Sequence, residues 1–434
     1  MPTEMSFPLA HGDALPWSVL HTACACAAPV RITLLSAVDS PTANPPDPSP
    51  VSYASARAGA AEQFAVTALP SEAEELWRYS RIDELDLGRY RAVPSISSTL
   101  DHVTVELSQA ASEAGVIVLR GEAAVATGLF GSILADDLDA LTLLAVARAD
   151  DVVVIDIPPG VSVDEPILLT RHLRSEGAVL ASRLFVRAQR NSQATIIERL
   201  TSSEIGSLVL PLTELSVEHA ARLRMVSVQE LGSDVWQVGT TAASTAGDAT
   251  LSTMAVALGG YYARLRIDAT ITAKGGHNEL MAVYFGEGSQ MHDFRTMQHH
   301  VAPRTTSDLL FKGAVEDHAK SVYSGLIRIS KEGRGTSANQ TNRNLVLSPH
   351  ASAESVPNLE IDNNDVKCSH ASAIGPIDDE HRYYLESRGV PPDVAERLIV
   401  QGFFADLLGR IPDAPLRDQL IEAVRAKFDR RSDQ

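Results

Sequence analysis

The hydrophobic and polar positions divide the chain into stretches with different periods. From about residue 61 to residue 148 the apolar residues recur mostly at helical spacing, and residues 136–148 repeat them at i, i+3 and i+4. The helical period returns near the C-terminus in residues 378–388, 392–410 and 416–431. The pattern therefore predicts helical regions on both sides of a central stretch of another kind.

The central stretch, from about residue 151 to residue 374, consists of short runs of β-forming residues separated by turn residues. Almost no helical period occurs between these runs, so a parallel sheet with intervening helices is excluded. A sandwich, a propeller or a parallel β-helix remains. No Trp-Asp or Gly-His tag recurs at a spacing of about 40–45 residues, so a propeller is disfavoured. Runs such as residues 263–267 alternate apolar and polar side chains, as in a solenoid with one buried face, although this period also fits a sandwich.

These changes of period give four predicted segments. Five prolines between Pro41 and Pro50 prevent regular structure there, so we predict a flexible N-terminal extension over residues 1–50. An N-terminal helical region is expected over 51–149, a β core over 150–375 and a C-terminal helical domain over 376–434.

Composition narrows the class of protein. Asp and Glu total 55 against 37 Lys and Arg, a net charge of −18 that opposes nucleic-acid binding. The three cysteines, Cys24, Cys26 and Cys368, form no disulfide framework and no CxxC pair. No Lys or Arg precedes Arg31, and the uncharged stretch 14–30 is too short for a membrane span. We therefore expect a cytoplasmic protein without nucleic acid or membrane as a partner.

Motif searches remove most common enzyme classes. The sequence has no GxxxxGK[ST] loop, no GxSxG elbow, no HExxH helix and no GxGxxG loop. An ATPase, a serine hydrolase, a zinc protease or a Rossmann enzyme would each need one of these motifs.

The run Cys368-Ser369-His370 carries the strongest candidate chemistry. On a strand Cys368 and His370 share one face, and thiolate with imidazole could bind a metal or act as a nucleophile with its base. Two ligands cannot complete an iron–sulfur cluster, which usually takes four, and Cys24 and Cys26 are poor suppliers of the rest. A metal site here would therefore be shared between chains, whereas the more ordinary interpretation is a buried thiol beside a structural histidine.

A second polar cluster comprises His292, Asp293, His299 and His300. It could be catalytic, but such groups more often form hydrogen bonds between loops of a β domain. We favour this structural interpretation.

Segments of the C-terminal half resemble the SufB/SufD family, the scaffold proteins of the SUF system for iron–sulfur cluster assembly. The matching segments are 303–313, 322–329, 339–348, 357–361, 365–370 and 383–389, with weaker matches at 75–80, 157–161 and 192–198. The run Val366-Lys367-Cys368-Ser369-His370 looks like the SufD branch, since the Glu-His-Glu-Ala-Thr run of SufB is absent. Two departures are Ala371-Ser372-Ala373, where the family usually has Gly-Ala-Thr, and residues 1–50, which match nothing in it.

This resemblance implies a mainly β protein with a right-handed parallel β-helix core and flanking N-terminal and C-terminal helical regions. It also implies a non-enzymatic subunit that forms a heterodimer with SufB and binds the SufC ATPase through its C-terminal helices. A transient iron–sulfur cluster would form at the interface with SufB, with His370 as a ligand or proton acceptor and Cys368 as a second candidate. The resemblance leaves open whether a flavin takes part and whether the chain forms a homodimer without SufB.

Two alternatives come from other classes of protein. A β-helix lyase or hydrolase of acidic polysaccharide is disfavoured by the net charge and by the missing signal peptide. A purely structural adaptor without a role at a cluster is the other alternative.

Overall fold

The computed structural model describes residues 53–92, 100–135, 137–149 and 151–429. The predicted extension 1–50 lies outside these residues. Nineteen strands and seven α-helices are found within them. The strands are β1 (Arg91–Ala92), β2 (Leu100–Glu106), β3 (Ile117–Arg120), β4 (Asp151–Ile157), β5 (Ile167–Leu173), β6 (Ala178–Ala188), β7 (Gln193–Ser202), β8 (Leu208–Val217), β9 (Arg222–Glu230), β10 (Trp236–Thr245), β11 (Thr250–Ala257), β12 (Tyr262–Ile271), β13 (His277–Gly286), β14 (Met291–His300), β15 (Thr306–Val315), β16 (Lys320–Ile329), β17 (Ser337–Val346), β18 (Ser352–Ile361) and β19 (Lys367–Gly375). The helices are α1 (Tyr53–Val66), α2 (Gln109–Glu113), α3 (Gly121–Val125), α4 (Ala140–Arg148), α5 (Asp379–Ser387), α6 (Pro392–Leu408) and α7 (Ala414–Asp429).

Strands β4 to β19 wind into a solenoid of eight turns. Each turn places one strand in sheet A, which runs β4, β6, β8 and onward to β18, and one in sheet B, which runs β5, β7, β9 and onward to β19. Neighbouring strands of each sheet are parallel, and residues paired across them are 26 to 32 positions apart in the sequence. The prediction of a parallel β-helix with helical flanks is thus confirmed.

The interior of the solenoid changes character along its length. In the first turns the inward side chains are mainly aliphatic, as at Val153, Ile155 and Ile196. In the later turns polar side chains such as Gln298 and Gln340 point inward and are also fully buried. Alternation along each strand places every second residue inside, which explains the period in the sequence.

The two ends of the solenoid differ. At the N-terminal end β2 pairs antiparallel with β5 and β3 pairs antiparallel with β4, so each sheet begins with a reversed edge strand, and Ala111 and Val116 pack into the core at this end. At the C-terminal end β18 pairs only with β16, and β19 only with β17, among the described strands. Both sheets therefore finish in open strand edges at this end.

The N-terminal region is mixed rather than mainly helical, as it contains β1 to β3 and three short 3-10 helices besides α1 to α4. Its segment around Trp77 docks on the outer face of sheet A. The indole is buried, and the guanidinium carbon of Arg264 lies 3.7 Å from the ring centroid. Arg264 also donates to the Leu76 carbonyl at 2.7 Å, so the segment is held by both packing and hydrogen bonding.

The C-terminal helices cover the outer face of sheet B. The apolar stripe of α6 and α7, including Phe404, Leu407 and Leu420, packs with Val283 and Phe285 of the solenoid. Most of the apolar stripe of these two helices is therefore buried against the solenoid and is not available to another molecule. Leu398 is the exception within that stripe, with 45% of its surface exposed. None of the described helices combines the length and the apolar character needed to cross a membrane.

Strands β14 and β15 show no regular alternation in the sequence, because polar residues such as His292 and Ser307 occupy buried positions. Residues 161–163 form no strand and contribute only an isolated bridge, from Ser162 to Gln193.

Candidate functional site

Cys368 and His370 lie on β19, the last strand of the solenoid. The loop that leads into this strand is fixed on the loop of the preceding turn: Asn363 donates to the Lys331 carbonyl at 2.6 Å, and Arg334 pairs with Asp365 at 2.7 Å. The first residues of β19 are therefore held in register, with Cys368 beside Ala338 and His370 beside Gln340. Since Ala338 and Gln340 are buried in the interior, both candidate residues are on the inward face, as their i, i+2 spacing predicts.

The thiol of Cys368 is half-buried in a small apolar cluster. It packs against Ile327, Ile329 and Ala338. Burial raises the pKa of the thiol above its ordinary value, and a hydrogen bond from the Ala338 backbone works in the opposite direction. The neutral thiol is therefore the dominant form at neutral pH, which weakens Cys368 as a free nucleophile or as a ligand before metal arrives.

The imidazole of His370 is exposed, in contrast to the thiol. Although it projects from the inward face, no further turn covers it in the described part of the chain. A ring at this place can be reached from outside only through the open end of the solenoid, which makes it accessible to a second polypeptide.

An apolar rim surrounds these two residues. Leu359 and Ile361 of β18 are 38% and 39% exposed, and Ile374 of β19 is 45% exposed. Solenoids normally end in a repeat with a polar outer surface. Exposed aliphatic side chains beside open strand edges are instead typical of a contact surface.

The donor set at this end is incomplete. Among the described residues no group of three or more His, Cys, Asp or Glu side chains could hold a metal ion. Cys24 and Cys26 lie outside the described residues. Cys368 and His370 can thus supply at most two ligands from this part of the chain.

The second polar cluster does not form one site. Asp293 faces outward and is buried in ion pairs with Arg264 and Arg295, each at 2.6 Å. His292 and His300 face inward, and His300 contacts the hydroxyls of Thr305 and Ser307. His299 faces outward, 3.0 Å from the Ser330 hydroxyl. These residues lie within β14 and not in a loop, and their contacts are structural.

Sequence reasoning missed the polar interior below the open end. Gln340 precedes His370 by 30 positions, which is the length of one turn of the solenoid at this place. That spacing has meaning only once the register of β17 and β19 is known.

The fold is a parallel solenoid of the β-helix class, and its last strand presents an exposed imidazole beside an open strand edge. The chain belongs to the SufB/SufD family: residues 171–403 match the family model described as SUF system FeS cluster assembly, SufBD core domain. Its general role is therefore in iron–sulfur cluster assembly by the SUF system.

Curated relatives support this assignment. The chain is 31% identical over 372 residues to an iron-sulfur cluster assembly SufBD family protein of Mycobacterium bovis, covering 83% of this chain and 90% of the relative. It is 26% identical over 290 residues to the iron-sulfur cluster assembly protein SufD of Bacillus subtilis, covering 66% of each. The match to SufD of Escherichia coli is 30% over 177 residues, covering 41% of this chain and 42% of the relative.

Proposed function

We propose that the chain is a non-enzymatic, SufD-like scaffold subunit of a cytoplasmic complex with SufB and SufC. The open C-terminal end of the solenoid pairs with SufB, and His370 faces the nascent cluster across that interface as a ligand or a proton acceptor. The observation that carries the proposal is the exposure of His370 on the last strand, beside open edges and an aliphatic rim.

The incomplete donor set supports a shared site. One imidazole and one half-buried thiol fall short of the four ligands that an iron–sulfur cluster usually takes. SufB supplies the remaining ligands in this proposal. Cys368 ranks below His370 because burial raises the pKa of its thiol and because its sulfur packs on aliphatic side chains.

Glu360 and Lys312 serve the scaffold itself. Glu360 pairs with Arg328 at 2.8 Å and links β18 to β16, while Lys312 is bound to α6. Neither is placed at the cluster.

SufC binds the C-terminal helices through the surface that the solenoid leaves uncovered. Tyr383 and Tyr384 of α5 are 73% and 58% exposed, and Leu398 of α6 is also exposed. ATP-driven movement of SufC would reach the interface with SufB through α5, which follows β19 directly.

The test is cluster formation by the co-expressed complex carrying His370→Ala. We expect the three subunits to co-purify while iron and sulfide per complex fall strongly. His318→Ala is the matched control, because His318 is also an exposed histidine but lies in the turn between β15 and β16. Cys368→Ala should have a smaller effect than His370→Ala.

A normal cluster yield with His370→Ala would remove the ligand role and favour the purely structural adaptor. The polysaccharide lyase or hydrolase has no support from the family assignment. Cleavage of polygalacturonate by the purified complex would restore it.

A further inference from the structure

We propose that Gln340 is a positioning residue for His370, which it orients through a hydrogen bond from the neighbouring strand. The inference rests on the proposed function, since orientation of this ring matters only if His370 acts at the cluster. In this inference Gln340 acts on the site through His370 and does not contact the iron–sulfur cluster.

The first observation is that Gln340 and His370 are neighbours on adjacent strands and that both side chains lack hydrogen-bond partners in the described part of the chain. Gln340 and His370 are paired in the parallel ladder of β17 and β19 and share the inward face. Paired residues on adjacent strands are about 4.8 Å apart, so their side chains can meet. Neither the amide oxygen nor the amide nitrogen of Gln340 has a hydrogen-bond partner in the described part of the chain, although the residue is only 1% exposed.

His370 has the complementary need. Within the described residues its imidazole forms no hydrogen bond. A histidine that binds metal through one ring nitrogen almost always donates its other N–H to a carbonyl, a carboxylate or a water molecule, which fixes its tautomer. Once SufB covers the open end, bulk water is excluded and the partner has to come from protein or trapped water.

The second observation concerns which way the amide of Gln340 points. A Cβ atom added to Gly325 would lie 2.1 Å from the Tyr323 hydroxyl and 2.6 Å from Nε2 of Gln340, so both groups border the space that this glycine leaves free. Nε2 forms no hydrogen bond there, and the Tyr323 hydroxyl instead lies 3.2 Å from Oγ1 of Thr296. With Nε2 on the side of Gly325, Oε1 remains as the acceptor for an imidazole N–H.

The energetic argument points the same way. A buried amide without hydrogen-bond partners destabilises the fold, and an interior leucine would avoid that cost. The hydrogen bond to His370 in the assembled complex offsets this cost.

Gln298 provides a matched control. It too is a buried glutamine whose amide atoms lack partners in the described part of the chain, but it lies on β14 in the other sheet and is not in register with His370. If unpaired glutamines merely fill the interior, Gln340→Leu and Gln298→Leu should behave alike.

The experiment uses the complete complex with SufB and SufC, labelled with 15N-histidine, and assigns the His370 signals by their loss in His370→Ala. We expect Gln340→Leu to change the ring-nitrogen shifts from one tautomer to a mixture and to weaken Fe²⁺ binding about 10- to 100-fold. Gln298→Leu should change neither, and Gln340→Glu, which keeps an acceptor, should retain the single tautomer. Thermal melting of each complex checks that both leucine variants remain folded.

Two outcomes would overturn the inference. If Gln340→Leu leaves the His370 shifts and Fe²⁺ affinity like those of Gln298→Leu, Gln340 has no positioning role, and the proposed function still stands on the His370→Ala result. If His370→Ala itself leaves Fe²⁺ binding and cluster yield unchanged, the proposed function and the inference both fail.

Discussion

The guanidinium of Arg264 stacks on the indole of Trp77 at 3.7 Å and fastens the N-terminal region to sheet A. The same arginine donates to Asp293 at 2.6 Å on the outer face of sheet A. The segment around Trp77, which is remote in sequence, thus contacts an arginine that belongs to an ion pair of the solenoid.

Removing this indole should destabilise the protein. We expect Trp77→Ala to lower the free energy of unfolding by about 3–5 kcal/mol, because it leaves a large cavity over a charged side chain. Leu76→Ala is the control: Leu76 is exposed, and its backbone carbonyl, which Arg264 uses, is retained, so a change within about 0.5 kcal/mol is expected. Equal losses for the two variants in urea denaturation would show that the indole does not anchor the segment.

A buried ion cluster lies inside the first turns. Arg171 donates to Asp151 at 2.5 Å and is bonded to Glu198, and all three side chains are largely buried. Arg171→Met should cost about 3–5 kcal/mol, because two carboxylates remain in the interior without their cation. The triple variant with Asp151→Leu and Glu198→Leu should recover most of that loss, and a failure to recover would mean that shape rather than charge dominates at this position.

Acid should destabilise the protein through two buried histidines. Burial lowers the pKa of His292 from 6.5 to about 3 and that of His300 from 6.5 to about 4. The unfolded chain therefore binds more protons below pH 6.5, so this contribution to stability is complete above pH 6.5 and is lost as the pH falls toward 4 for His300 and 3 for His292. Each histidine changes the free energy of unfolding by up to about 1.4 kcal/mol for each pH unit in this range.

This prediction is tested with His300→Gln, which keeps polar contact with Thr305 and Ser307. Between pH 6.5 and 4 its unfolding free energy should depend less steeply on pH than that of the parent chain. Identical slopes would show that His300 does not carry the effect.

Lys312 holds helix α6 on sheet B. Its ammonium group donates to the Phe403 carbonyl at 2.8 Å and to Asp406 at 2.7 Å. Lys312→Met should loosen this half of the helix by about 1.5–3 kcal/mol, seen as faster hydrogen exchange in α6. The control Lys320→Met changes an exposed lysine at the start of β16 and should leave exchange in α6 unchanged.

Exposed and buried side chains of helices α5 and α6 should affect different properties, the first SufC binding and the second stability. Tyr383→Ala and Leu398→Ala should weaken capture of SufC and leave the melting temperature nearly unchanged, because both side chains are exposed. Phe404→Ala should instead lower the melting temperature, since that ring packs against Phe285. Undiminished SufC capture by the double variant Tyr383→Ala, Leu398→Ala would place the ATPase elsewhere.

The helices of the C-terminal region could be predicted closely from the sequence because their signals are local. Asp378 caps α5 through the backbone N–H groups of Glu380 and His381, and Gly389 follows it with a φ of 86°. Strand β14 cannot be delimited from the sequence in this way, because inward positions such as His292 and Gln298 are polar and hide the alternation. Burial of those side chains depends on the neighbouring turns and not on β14 itself.

The candidate site was only partly predictable for the same reason. The i, i+2 spacing of Cys368 and His370 indicates a shared face without any tertiary information. Their unequal exposure depends on Ile327 and Ile329, which shelter the thiol, and on the ending of the solenoid above the imidazole. The contribution of Gln340 requires the register between two strands that are one turn apart.

The two ends of the solenoid differ in what covers the interior. At the N-terminal end Ala111 and Val116 pack into the core, whereas at the C-terminal end the inward-facing His370 is exposed. A rod with an uncovered interior at both tips could add subunits head to tail and grow into a fibre. With the interior already covered at one tip, we expect contact through the uncovered tip to join two solenoids and to stop there.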